Sequence, residues 1–184
     1  MLAIFLVTPH KLPAFIRVTL KGVARTDKGP RKHTELIMIS GSVTLTQPQG
    51  THRQFIAADN RGHYFIVDDA AGNTGPKPIE LLTIGLAGCT AFDVISILRK
   101  KRQEVTGYEV RVEADQRTEP PNIFTKIRVH HIVTGEDVSE DALKSAIHLS
   151  ESKYCSVSAM LQLSAEIETT YHIIPVAQEA PAGV

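Results

Sequence analysis

The sequence predicts an α+β fold, an antiparallel-rich sheet packed on a long, buried central helix. Several short runs alternate apolar with polar residues, which is the mark of half-buried strands. One stretch, Pro78 to Leu98, is apolar nearly all round the helical wheel, so a helix there must bury most of its circumference. The element order is three strands, a helix, two strands, one or two helices and a strand, without the regular strand–helix alternation of a parallel α/β sheet.

The elements follow in chain order. Residues 1–37 open with the apolar run Leu2 to Val7 and then carry Lys11, Arg17, Lys21 and Arg25 before the first acid, Asp27. A secretory signal has its charges before its apolar core, the reverse of this order. The segment is expected to be a poorly ordered extension, with Met38 as an alternative start, followed by the folded domain over 38–175 and a loose tail over 176–184. In the domain, Val43 and Leu45 alternate with Ser42, Thr44 and Thr46 as a first strand. Gln54 to Ala58 and His63 to Val67 read as two more, joined by Asp59-Asn60-Arg61-Gly62, a turn whose Asn and Gly tolerate positive φ.

The central helix has marked ends. Pro78 suits the first helical position and Glu80 the first turn, where the positive end of the macrodipole favours a carboxylate. Arg99, Lys100, Lys101 and Arg102 supply cations at the other end. The same length and basic flank would fit a membrane span, but Glu80 and Asp93 lie inside it, and a carboxylate at bilayer depth costs about 2.5–3.5 kcal/mol. A core helix is the expectation, with no membrane partner.

Beyond Gly107, Tyr108, Val110, Val112 and Ala114 alternate with charged residues, and Ile127, Val129, His131 and Val133 share one face of a further strand. Glu119-Pro120-Pro121-Asn122 between them is a turn, because proline cannot donate to a ladder, so the two strands read as an antiparallel hairpin. Ser139 is a good N-cap for a helix whose Leu143, Ala146, Ile147 and Ser150 lie on one face. The chain pauses near Ser152 to Cys155, resumes as a helical piece through Val157, Met160 and Leu161, and closes with a strand through Ile167, Thr169, Tyr171 and Ile173.

Composition narrows the function classes. The 184 residues are 42% hydrophobic and 22% charged, ordinary globular values. Lys plus Arg equals Asp plus Glu at 20 each, so no electrostatic bias points to nucleic acid. Two cysteines are too few for a disulfide-stapled secreted scaffold. With no secretory pattern, the cytoplasm is the expected compartment. Close Cys/His spacing for structural zinc is also missing. Adjacent His130 and His131 face opposite sides of one strand, one toward solvent and one half-buried, so they cannot easily share an ion.

The chemistry therefore rests on the cysteines. Cys89 lies among Ala87, Gly88, Thr90 and Ala91, small neighbours that admit a close approach to sulfur, although a cysteine in such a helix also serves as a small hydrophobe. Cys155 follows Lys153 and opens a helical piece, where an ammonium and free N–H groups favour thiolate. Asp93 is one turn after Cys89 on the same face, and its charge would oppose a neighbouring thiolate unless a cation neutralised it.

The block Pro-Ile-Glu-Leu-Leu-Thr-Ile-Gly-Leu-Ala-Gly-Cys-Thr-Ala-Phe-Asp-Val from Pro78 to Val94, then Arg117, Pro121 to Ile127, and Lys153-Tyr154-Cys155-Ser156-Val157, resembles the OsmC/Ohr family of thiol-dependent hydroperoxidases, closest to its OsmC-like branch. The resemblance implies an intertwined homodimer with sites at the subunit interface. It implies that Cys89 is the peroxidatic cysteine, attacking organic hydroperoxide or hydrogen peroxide and becoming a sulfenic acid. Cys155 would be the resolving cysteine, closing a disulfide that a dithiol such as a lipoylated protein reduces. No cofactor or metal is implied. The family's arginine, oriented by a glutamate before the helix, would be Arg53, Arg61 or Arg117, with Glu80 as the catalytic glutamate. Hydroperoxide-resistance members carry that glutamate ten residues before the cysteine, where this chain has Ile79, and one residue is about 100° of helix. The alternative is a weakly or non-catalytic module of the same fold that senses redox state or binds a hydrophobic ligand.

Overall fold

In the computed structural model the described residues are 38–46, 50–51 and 53–176, and the extension expected over 1–37 and the tail expected beyond 176 lie outside them. Ten segments of regular structure follow: β1 (Gly41–Leu45), β2 (Phe55–Asp59), β3 (Tyr64–Val67), α1 (Glu80–Lys100), β4 (Glu104–Gln116), β5 (Phe124–Glu136), α2 (Glu140–Leu149), a π-helical turn (Ser150–Tyr154), α3 (Ser156–Leu161) and β6 (Glu166–Pro175).

The strands form two sheets. β1, β2 and β3 make an antiparallel meander, and β4, β5 and β6 make the second sheet. The β2–β3 turn closes on Gly62 at φ +88°, where a side chain would be strained. β4 and β5 are the expected antiparallel hairpin, turning at Glu119 to Asn122. β6 instead runs parallel to β5, which is possible because α2, the π-helical turn and α3 return the chain to the same end of the sheet.

Alternation decides what this second sheet buries. Phe124, Ile127, Val129, His131 and Val133 of β5 are buried, while the residues between them are only partly covered or exposed. On that face His131 is expected to be half-buried. It is 1% exposed, because its strand is central and α1 covers that face. Its Nδ1 is hydrogen-bonded to the Tyr108 hydroxyl at 2.6 Å. Burial, with His130 beside it, holds its pKa down to about 4.

α1 lies on this face. Leu86, Thr90, Val94 and Leu98, four residues apart, are its buried line. Val94 and Leu98 join Val133, Leu143, Ala146 and Ile147 in one core cluster, and Leu86 joins Phe124, Ile127, Val129, Cys155 and Ala165 in another. Each large apolar side chain so buried contributes about 1.5–3 kcal/mol. The helix starts two residues later than the sequence expectation, since Glu80 is its first residue, Ile79 is the N-cap and Pro78 precedes it.

The burial of α1 on most of its circumference does not hold within one chain. Leu82, Ile84 and Phe92 are exposed, Phe92 at 78%. One sheet and the α2 side cover only one flank of the cylinder. The first sheet leaves Val43, Tyr64, Phe65 and Ile66 exposed as well, and it packs extensively on neither the helices nor the second sheet. By length and composition α1 could cross a membrane, yet it lies against β4 and α2 as a core helix does.

Candidate functional site

The site is made where α1 meets the segment between α2 and α3. Cys89 and Asp93 lie four residues apart on α1, beside the buried line. α2 is started by Ser139, whose Oγ accepts from the Ala142 N–H at 3.3 Å. At its other end the helix widens instead of stopping. Cys155 N–H donates to the Ser150 carbonyl at 2.8 Å, the five-residue step of a π turn, and Cys155 then becomes the N-cap of α3. The wide turn carries Cys155 inward to 2% exposure, among Leu86, Phe124, Ile127 and Val129.

The Cys89 sulfur, the Cys155 sulfur and a carboxylate oxygen of Asp93 all lie within 4.8 Å of one another. Both cysteines are free thiols. A polar chain holds the carboxylate: Ser150 Oγ donates to Asp93 Oδ2 at 3.0 Å, and Thr90 Oγ1 and Ser150 Oγ are 3.2 Å apart. Thr90 and Ser150 are themselves buried, so each hydroxyl needs this partner. Among the described residues no fourth His, Cys, Asp or Glu joins the trio, so these three could hold a metal ion as an open three-ligand site but not as a closed four-ligand structural one. The arrangement is a dithiol with a carboxylate beside it.

Electrostatics separate the two thiols. Burial pushes the Cys155 thiol up to about 11, the Ser158 N–H that reaches its Sγ at 3.3 Å offsets only part of that, and the nearby Cys89 adds to the rise. The expectation that Lys153 favours a Cys155 thiolate is therefore corrected. The Lys153 ammonium sits 5.3 Å above the Tyr154 ring on the exposed side of the turn, and desolvation dominates at the sulfur. Cys89 is only partly buried and is the thiol that a reagent meets first.

The remaining sequence candidates are placed elsewhere. Glu80 is exposed at the start of α1, about 13 Å along the helix axis from Cys89. It accepts from the Lys77 backbone N–H at 2.8 Å and pairs with the Lys77 ammonium at 3.5 Å, which lowers its pKa. Arg53 pairs with Asp69 at 3.3 Å and Arg61 with Asp59 at 3.8 Å, both largely exposed. Arg117 donates to the Pro121 carbonyl at 2.5 Å. Thr90 and Ser150 were missed as site residues. The signal for Ser150 was available, since a serine continuing the apolar face of a helix needs a buried partner.

Comparison with known proteins agrees with this fold and this pair of motifs. The model of the family "OsmC-like protein" matches residues 71–170. Protein YhfA of Escherichia coli K12 is 39% identical over 120 residues, covering 65% of this chain and 90% of that protein. A hypothetical protein from Aquifex aeolicus is similar in structure with a TM-score of 0.68 at 27% identity, covering 77% of this chain and all of the other. The organic hydroperoxide resistance protein OhrB of Bacillus subtilis shares the fold at a TM-score of 0.51 and 15% identity, covering 74% and 98% of the two chains. More than half of the sequence thus matches one family model, and the chain belongs to the OsmC-like protein family.

Proposed function

We propose that this protein is a cytoplasmic two-cysteine peroxidase acting on organic hydroperoxides or hydrogen peroxide. The observation that carries the reading is the meeting of Cys89 and Cys155, far apart in sequence, within 4.8 Å of each other and of Asp93. The Cys89 thiolate attacks one peroxide oxygen, the O–O bond breaks, and an alcohol or water leaves while Cys89 becomes a sulfenic acid. Cys155 then attacks the Cys89 sulfur, the S–O bond breaks, water departs and a disulfide closes. An external dithiol, such as a lipoylated protein, reduces the pair. Two proteins that share the fold, from Legionella pneumophila and Bacillus subtilis, are named organic hydroperoxide resistance proteins, which supports the choice of substrate class.

The working unit in this reading is a homodimer. Leu82, Ile84 and Phe92 on α1, and separately Val43, Tyr64 and Phe65 on the first sheet, are exposed apolar side chains that a second copy would cover. In this reading a cation reaches Cys89 from the second copy when one of its arginines leaves the exposed contact it makes within its own chain, Arg53 with Asp69, Arg61 with Asp59 or Arg117 with the Pro121 carbonyl. For Glu80 to orient that arginine across the interface, it must exchange the Lys77 ammonium it pairs with in one chain.

Peroxide consumption with a dithiol reductant tests the reading. The Cys89→Ser variant is expected to lose it, and Cys155→Ser to complete one oxidation and stall. Equal consumption by the double serine variant and the parent would end the proposal. The deep burial and raised pKa of Cys155 favour one second reading, a redox sensor that closes slowly and turns over poorly. Disulfide formation with one equivalent of peroxide but negligible multiple turnover would select it.

A further inference from the structure

The geometry points to Asp93 as the group that takes the Cys155 proton when Cys155 attacks an oxidised Cys89, with Ser150 as the residue that positions the carboxylate. The inference rests on the dithiol reading above and goes beyond it by giving the resolving step its base.

Cys155 presents a difficulty that the pair alone does not solve. At neutral pH its sulfur carries a proton, and only the thiolate is an effective nucleophile. Cys155 is 2% exposed, so at neutral pH bulk water and buffer remove that proton only slowly. The buried residues that share its cluster from β5 and from just before β6 are Phe124, Ile127, Val129 and Ala165, which have no titratable group. On the turn itself, Glu151 is bonded to the Thr169 hydroxyl, and Lys153 lies over the Tyr154 ring. α1 supplies Cys89 and Asp93, and further along it Lys100 and Lys101, which share with Asp93, Ser96 and Tyr154 a cleft of about 340 Å³. Among the described residues, Asp93 is therefore the one base whose oxygen lies within 4.8 Å of both sulfurs.

Its placement is specific. Ser150 opens the π-helical turn that delivers Cys155, and its hydroxyl binds Asp93 Oδ2 at 3.0 Å while the neighbouring Thr90 hydroxyl stands 3.2 Å from it. The same turn thus fixes both the attacking sulfur and its proton acceptor. In the resolving step the Cys155 S–H bond breaks toward the Asp93 carboxylate, a Cys155–Cys89 S–S bond forms, the Cys89 S–O bond breaks, and the proton passes from Asp93 to the leaving oxygen as water. Cys155 is oxidised and the sulfenic sulfur of Cys89 is reduced.

The step can be tested without peroxide. Dithiobis(nitrobenzoate) labels the more accessible Cys89 and releases a first thionitrobenzoate. Attack by Cys155 on the mixed disulfide then releases a second, which leaves as a stable anion, so removal of the Cys155 proton is the only proton transfer in that phase. Stopped-flow absorbance on the full chain resolves the phases, and Cys155→Ser identifies the second by losing it. For Asp93→Asn, the second phase at pH 7 is expected to slow by about tenfold or more, with the deficit closing at pH 10 to 11, where hydroxide does the work. Ser150→Ala is expected to slow it severalfold with the same pH dependence, and it carries the test if Asp93→Asn does not fold. A second phase within twofold of the parent at pH 7 in the folded variants would overturn the proposal. A deficit constant from pH 6 to 11 would also overturn it, because lost packing alone gives that result. Peroxide consumption by the parent is measured alongside: its absence, with the Asp93 effect intact, would remove the peroxidase reading and leave the proton transfer standing.

Discussion

The two thiols show how residue type and residue behaviour part company. Cys155 stands at a helix N-terminus beside a lysine, a setting that favours thiolate. Its sulfur is nevertheless 2% exposed, and burial outweighs the local N–H. His131 is a second case. Both ring nitrogens are buried, Nδ1 bonded to Tyr108 and Nε2 without a hydrogen-bond partner among the described residues, so the ring is held neutral. Its folded pKa of about 4 lies below the ordinary 6.5. The unfolded chain therefore binds the proton first as pH falls, and stability decreases from about pH 6.5 down to 4, by at most about 3 kcal/mol, with no contribution above that window. Thermal melts from pH 8 to 4 should show this decline, and a His131→Gln variant, less stable at pH 7, should show a smaller one. Equal slopes for the two proteins would assign the acid sensitivity to other groups.

At the scale of elements, α2 and the π-helical turn after it matter most for the site. The Ser139 cap holds the start of α2 and is exposed, so its removal has a local effect. Ser139→Ala should cost about 1 kcal/mol in chemical denaturation while leaving the rate of disulfide closure unchanged. A changed closure rate would mean that the start of α2 is coupled to the placement of Cys155. The end of β5 is less forgiving. A Cβ added at Gly135 would collide with the Glu104 carbonyl oxygen and press on Val138, at the end of the β4–β5 ladder beside the register shift between Val105 and Gly107. Gly135→Ala should destabilise by about 1–3 kcal/mol, read from the denaturation midpoint. An unchanged midpoint would show that the strand ends separate freely.

For the whole molecule, the controlling feature is the apolar surface that one chain leaves uncovered. Phe92 is 78% exposed and Ile84 56% on a helix whose opposite line is fully packed. Sedimentation at micromolar concentration should give a dimer, and Phe92→Glu should shift it to monomer with a loss of peroxide turnover of at least about tenfold, because a charge at a buried contact is left unpaired. A parent that sediments as a monomer at high micromolar concentration would remove the dimer from the proposed function. A monomeric variant with full turnover would show that one chain carries a complete site.

Much of this protein was legible in its sequence because the relevant forces are local. Alternation located the strands, and the Pro120-Pro121 turn fixed the hairpin. The dipole-matched charges bounded α1, and the two cysteine motifs marked the residues of the site. Tertiary structure alone decided the rest. The parallel pairing of β6, the depth of His131 and the protonation of Cys155 depend on which surfaces meet, and the exposed flank of α1 depends on which surface goes uncovered. The Thr90–Ser150–Asp93 chain joins residues from elements far apart in sequence, so no periodicity announces it. Periodicity reports the face that a side chain is on, whereas desolvation and hydrogen bonding depend on what stands across from it.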